Sequence, residues 1–235
     1  VPGSVQGEPA YVLHRRPYRE TSLLVDLFSL NGGRLTVVAK GANSSRSPLK
    51  AQLQPFQPVL VDWQGRSELK TLVQVEVRQA DALKGTVNLY SGLYINELLQ
   101  RVLPAGDAHP HLFAAYIHTL AELSLSVDVE PVLRRFEVAF AEALGYGFDW
   151  GKATDTGADV DPAGVYCYEP EQGIVLAPAP TVRLRGLSGA TLLQLAGGDY
   201  ESPDARRMAK RVMRVLVDYL LQGKPLHSRS LFLKG

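Results

Sequence analysis

The sequence predicts an α+β chain of more than one domain. A small closed barrel of five strands comes first, a helical bundle follows, and a small irregular third region lies late in the chain. Two observations carry this reading. Five short runs with period-two alternation crowd into the first 80 residues, and from about Val87 the apolar spacing becomes helical. The turn residues agree: Asn31-Gly32-Gly33 and Gly65 fall between strand candidates, while Gly145 stops a helical run.

The strand candidates are Ala10–Arg15, Ser22–Ser29, Arg34–Lys40, Val59–Gln64 and Leu69–Val77. In the second, Leu23, Val25 and Leu27 alternate, and in the third Leu35, Val37 and Ala39 share a face. The fifth places Leu69, Thr71, Val73, Val75 and Val77 on one side. Five such strands close into a barrel because closure removes exposed edges.

The first helix starts near Val87, with Leu89, Leu93, Asn96, Leu99 and Leu103 in register. His111–Leu125 is a second. Glu130-Pro131 opens a third over Val132–Leu144, because proline is tolerated in the first turn; its stripe is Leu133, Phe136, Phe140 and Leu144. Short loops between them imply a bundle over 81–147. Residues 148–187 are rich in Gly, Asp and Pro, with β-like pieces at Val165–Tyr168 and Gly173–Leu176. Ser188–Leu195 reads as a short helix. Ser202-Pro203 then caps a long one that ends near Leu221, so 188–235 rejoins the bundle.

Enzymatic constellations do not emerge. There is no phosphate-cradling glycine loop and no nucleophile elbow. His109, His111 and His118 lack a Cys or acidic partner at ligand spacing and read as surface or helix-start residues. Cys167, the one cysteine, reads as a small buried residue; it cannot close an internal disulfide, which fits a reducing, cytoplasmic setting. No apolar run reaches the roughly 18 residues of a membrane span, and no secretory signal is expected.

Charge is the sharper feature. The net charge of +1 hides a pattern. Residues 1–80 carry 10 basic and 6 acidic side chains, 81–150 carry 4 and 9, 151–199 carry 3 and 6, and 200–235 carry 8 and 3. Basic ends flanking an acidic middle point to a polyanion, or else to a solvated basic surface. Arg15, Arg16 and Arg19 cluster after the first strand beside Tyr18, and Lys40, Arg46 and Lys50 surround a Gly/Ser-rich segment. A strand face of a five-stranded barrel with its flanking loops can hold an oligonucleotide, and Tyr18, Phe28 and Trp63 are the aromatic candidates for stacking. Phe28 and Trp63 read more readily as core. On the last helix, Arg206, Arg207, Lys210, Arg211 and Arg214 oppose an apolar arc that includes Met208, Val212, Leu216 and Tyr219. That basic face could meet phosphates or pair with the acidic middle segment; Lys224, Arg229 and Lys234 follow it.

Five strings carry a resemblance: AYVLHRRPYRETSLLVDLFSLNGGRLTVVAKGA, LQPFQPVLVDWQGRSELKTL, LYSGLYINELLQRVLP, LRRFEVAFAEALGYG and GKPLHSRSLF. In this order and spacing, from about Ala10 to about Phe232, the chain resembles the bacterial RecO family of recombination mediators. The resemblance implies an N-terminal OB barrel over 1–80, a helical bundle and a small third region. It implies a protein that makes no bonds, needs no cofactor and is a monomer alone. It would bind single- and double-stranded DNA and anneal complementary strands. With RecR, and with RecF in some settings, it would help load RecA on strands coated by the single-stranded-DNA-binding protein SSB. The implied setting is cytoplasmic and nucleoid-associated, with no membrane contact.

By motif position, Arg15, Arg16, Arg19, Arg34, Lys40 and Arg46 inherit the DNA-binding role, to which the charge pattern adds Lys50, Arg207, Lys210, Arg211 and Arg214. Leu133, Arg134, Arg135 and Phe136 of the LRRFE string inherit the acidic, Phe-ended SSB tail, which needs cations beside an apolar pocket. Their alternative is pairing with Glu130, Glu137 or Glu142. Two departures stand out. Many family members place four cysteines as a zinc site in the third region, whereas this chain has Cys167 alone, so no zinc is expected. The loop from Gly41 to Arg46 is also less basic than the family's arginine-rich version.

Overall fold

A computed structural model describes residues 3–232; Lys234 lies outside them. Packing divides the chain into two compact units. One comprises the residues up to Ser126 with the segment from Leu226 onward, the other Val127–Pro225.

The first unit opens with β1 (Ser4–Tyr18), β2 (Ser22–Ser29), β3 (Gly33–Ala39), the one-turn helix α1 (Leu49–Gln52), β4 (Pro58–Gln64) and β5 (Leu69–Val77). They close a barrel in the order β1-β2-β3-β5-β4, with β3 and β5 parallel. This is the five-stranded OB arrangement. β1 is longer than its apolar stretch predicts because it serves two neighbours. Its first half pairs with β4 and its second with β2, and register shifts at Val5/Glu8 and Val12/His14 bend it between them. The alternating residues of β2 and β3 fill the interior with Val12, Val59, Val61 and Trp63, so Trp63 is core. β5 departs from its expected face. A shift opposite Asp62/Trp63 turns Leu72 and Val75 inward and leaves Leu69, Val73 and Val77 exposed.

Helices α2 (Thr86–Val102) and α3 (Pro110–Leu125) cover the outside of this barrel. Tyr11 and Phe28 point outward from β1 and β2 and meet Phe113 and Tyr116 edge-on, with ring centroids 5.1–5.9 Å apart. Asn96 of α2 is buried yet satisfied: its amide donates to the Leu13 carbonyl at 3.2 Å, and its oxygen accepts from Tyr116 at 2.6 Å. Gly33 is required where the loop between α2 and α3 passes. It has φ +63°, and a Cβ there would lie 1.9 Å from the Asp107 carbonyl oxygen. The returning segment docks through a 3-10 turn (Ser228–Ser230). Both Glu97 oxygens accept backbone N–H bonds at 2.8 Å, from His227 and from Ser228. Burial alone would raise the Glu97 carboxyl. The hydrogen bonds from Ser228, His227 and Arg101 outweigh that and hold it below the ordinary range.

The second unit holds α4 (Glu130–Ala143), β6 (Val165–Glu169), β7 (Gly173–Val175), β8 (Leu184–Ser188), α5 (Gly189–Ala196) and α6 (Pro203–Leu220). Packing thus divides the chain at Ser126/Val127, within the stretch 81–147 expected as one helical bundle. α4 belongs to the second unit, where it and α5 pack on α6. Loop length alone suggested a continuous bundle, but α3 packs within the first unit and α4 within the second. The third region is also more regular than its composition suggests. β7, β6 and β8 form an antiparallel sheet around Tyr166, Tyr168 and Ile174, all buried. Ser202 caps α6 as expected, accepting from the Ala205 N–H at 3.4 Å.

Candidate nucleic-acid interface

The two strands that make the barrel's first hairpin also position its cations. Arg16 lies on β1, and Arg19 sits in the turn to β2 with φ +54°, its guanidinium 5.1 Å from the Tyr18 ring centroid. Leu23 pairs with Ala39, so Lys40 emerges beside the start of β2. The loop that follows is pinned to the same turn, because the Asn43 N–H donates to the Thr21 carbonyl at 2.8 Å. This brings Arg16, Arg19, Lys40 and Arg46 to one end of the barrel, all exposed. Among the described residues none of the four is ion-paired with a carboxylate. Lys50 is exposed too, with its amine 3.5 Å from the Asn43 amide oxygen.

Two inherited candidates have other partners. Arg15 donates to the carbonyls of Lys50 and Leu53, the latter at 2.9 Å, and so ties α1 to β1. Arg34 donates from Nε to the Leu103 carbonyl at 2.6 Å, and its own carbonyl accepts the Gly106 N–H at 2.9 Å. Both are anchors of the fold. Part of the expected strand face is covered: Tyr11 of β1 and Phe28 of β2 lie under α3. Phe28 is fully buried and unavailable for stacking, whereas Tyr18 is half-buried. Sequence reasoning missed Arg66, which is exposed in the β4–β5 loop, and Lys70, which pairs beside Val37 at the start of β5. Their signal was available, since the β4–β5 loop is one of the two that OB barrels use for oligonucleotides.

The basic face of α6 splits in two. In its first turns Arg207 pairs with Asp204, Lys210 with Glu130, and Arg206 with Asp128 at 2.7 Å. The acidic middle segment thus takes up Arg206 and Lys210, as the competing expectation had it, whereas the partner of Arg207 lies on α6 itself. Arg211 and Arg214 are exposed and carry no carboxylate partner among the described residues; Arg211 donates to the Arg185 carbonyl at 3.4 Å.

The LRRFE string is mostly interior. Leu133 and Phe136 are buried, and the Arg134 side chain, 10% exposed, pairs with the 2%-exposed Glu137 at 2.7 Å. Only Arg135 of the four projects to the surface. The third region does not fit a zinc ion: Cys167 is buried in β6, and no three His, Cys, Asp or Glu side chains gather at ligand distance among the described residues. No helix among them is long and apolar enough to cross a membrane.

Known proteins give this arrangement a lineage. The family model "Recombination protein O N terminal" matches residues 6–80, and "Recombination protein O C terminal" matches 85–230. A protein of Marinobacter nauticus named DNA repair protein RecO is 66% identical over 233 residues, which is 98% of this chain and 95% of the relative. Relatives of the same name from Nitrosospira multiformis and Aromatoleum aromaticum are 42% and 43% identical over 228 and 225 residues, each covering 96% of this chain and 94% of the relative. The OB barrel, the helices on its flank and matches that span nearly the whole chain lead to one conclusion: this chain belongs to the RecO family.

Proposed function

We propose that this chain acts in DNA repair as a recombination mediator that binds DNA and makes no bonds itself. It holds single- and double-stranded DNA at the cationic end of the barrel and anneals complementary strands. Together with RecR, and with RecF where that partner takes part, it helps load RecA on strands coated by SSB. The observation that carries this reading is the cluster of Arg16 at the end of β1 with Arg19, Lys40 and Arg46 on loops pinned to each other, without carboxylate partners among the described residues. Annealing needs such a surface. Cations lower the repulsion between two phosphate chains and release their counterions, and the bases then find their own partners.

Lys50, Arg66 and Lys70 extend this surface, and Arg211 and Arg214 supply a further one. For the SSB tail the reading narrows to Arg135, because Arg134 is committed to Glu137 inside the fold. A peptide that sought Leu133 and Phe136 would have to displace packed side chains. The reading is tested by mixing complementary SSB-coated strands with the protein. Wild type is expected to speed annealing, and a variant with Arg16, Arg19 and Arg46 changed to Glu is expected to lose that effect. Equal annealing by both would count against the barrel.

A further inference from the structure

Beyond the barrel, the second unit contains a cleft at the C-terminal end of α6. Its volume is ≈ 550 Å³, and Tyr146, Arg183, Asp218, Tyr219 and Gln222 line it. That size suits a small organic group. The two tyrosine rings meet edge-on with centroids 5.8 Å apart, and the Arg183 guanidinium lies 5.5 Å over the Tyr219 ring. The Tyr219 hydroxyl donates to Glu171, which fixes the ring; this hydrogen bond, with burial, pushes the phenol up to about 12 and keeps it neutral. α6 ends here, with Gln222 at φ +53° and the Gly223 N–H closing onto the Asp218 carbonyl at 3.0 Å.

The polarity of the cleft and that of its approach differ. A helix C-terminus and the Asp218 carboxylate make the cleft negative, which repels a phosphate but tolerates the N–H edge of a nucleobase. The cations lie upstream. Arg211 reaches the Arg185 carbonyl, Arg185 is two residues from Arg183, and Arg214 lies one turn further along α6. Among the described residues none of these guanidinium groups is ion-paired with a carboxylate. Aromatic and guanidinium planes together make a stacking surface that any base can use.

We propose that this cleft takes one unpaired nucleobase of a single strand, stacked at the Tyr219–Arg183 face, with the neighbouring phosphates on Arg185, Arg211 and Arg214. The proposal rests on the DNA-binding reading above and adds a second strand site that recognises bases as well as charge. A protein that holds one strand at the barrel and another here carries both partners of an annealing reaction.

The test measures binding of the full chain to a short fluorescent oligothymidine and to an abasic oligomer of equal length. Tyr219→Leu and, separately, Arg183→Gln are expected to weaken oligothymidine binding by about fivefold or more, the order of one lost stacking contact. Tyr219→Leu should leave the abasic oligomer bound as tightly as in wild type. Tyr219→Phe keeps the ring and should bind like wild type. If Tyr219→Leu fails to fold, Arg183→Gln at the surface decides alone. Unchanged oligothymidine binding in the variants overturns the cleft while the barrel reading stands. An equal loss on both oligomers upon Tyr219→Leu shows that no base is recognised and also overturns it. If the variants instead weaken only an acidic peptide ending in Phe, the cleft belongs to a protein tail. If wild type binds neither oligomer, the DNA-binding reading falls and the cleft with it.

Discussion

The barrel end and the first turns of α6 carry similar numbers of cations but use them differently. At the barrel, Arg16 projects from the end of β1 and Arg19, Lys40 and Arg46 from pinned loops, none ion-paired with a carboxylate among the described residues. On α6, Arg206, Arg207 and Lys210 each face a carboxylate. Charge counting gives the two regions equal standing. Pairing separates them, because a phosphate that approaches a paired arginine must compete with a carboxylate already in place. The available positive charge, and not the total, decides where a polyanion settles.

The strongest challenge to this contrast is charge reversal at the barrel. Changing Arg16, Arg19 and Arg46 to Glu is expected to cut oligonucleotide affinity at low salt by on the order of a thousandfold, since about three phosphate contacts and their counterion release are lost. Fluorescence anisotropy reads the change. A loss below tenfold would remove the contrast.

Arg134 is the extreme case of a paired cation. Arg134→Ala removes the 2.7 Å ion pair of the buried Glu137 and is expected to cost about 3 kcal/mol of stability, read by denaturant unfolding. Arg135→Ala, at the surface, should cost less than about 0.5 kcal/mol while weakening an SSB tail peptide. Equal stability of the two variants would contradict the placement of Arg134 as interior.

Arg34 belongs to the barrel by sequence and to the anchors by structure. Arg34→Ala should lower stability by about 1–2 kcal/mol through the lost bond to the Leu103 carbonyl, with the salt dependence of DNA binding nearly unchanged. A thermal melt and a salt titration on one preparation separate the two roles.

Glu97 offers a pH handle on the first unit. Its folded pKa is lowered, so its contribution is complete above the ordinary carboxylate range and is lost as the pH falls through the lowered value. Hydrogen exchange at His227 and Ser228 is expected to speed up on acidification relative to the barrel strands. In Glu97→Gln these amides should already be less protected at neutral pH.

Much of the fold was legible because local pattern and tertiary role coincide. The alternation of β2 and β3 is the barrel interior, and Ser202-Pro203 is a cap that works within its own helix. β8 was not legible. Its Arg-Gly-Leu run shows no period, and Gly186 at φ +74° breaks the alternation. The site divides on the same principle. Residue type and loop position picked out Arg16, Arg19, Lys40 and Arg46. Nothing local shows that Arg15 reaches Leu53, that Arg34 reaches Leu103, or that Lys210 meets Glu130. Those partners lie tens of residues away, and only the folded chain reveals which cations they consume.

The central claim is that available charge sits at the barrel and not on the first turns of α6. Oligonucleotide affinity measured against salt concentration tests it most directly, for wild type, for the barrel triple reversal and for Arg207→Ala with Lys210→Ala. The barrel variant is expected to lower the slope of log affinity against log salt by about 3, whereas the α6 variant should change it by less than about 0.5 and affinity by less than about twofold. A larger drop in the α6 variant than in the barrel variant would contradict the account.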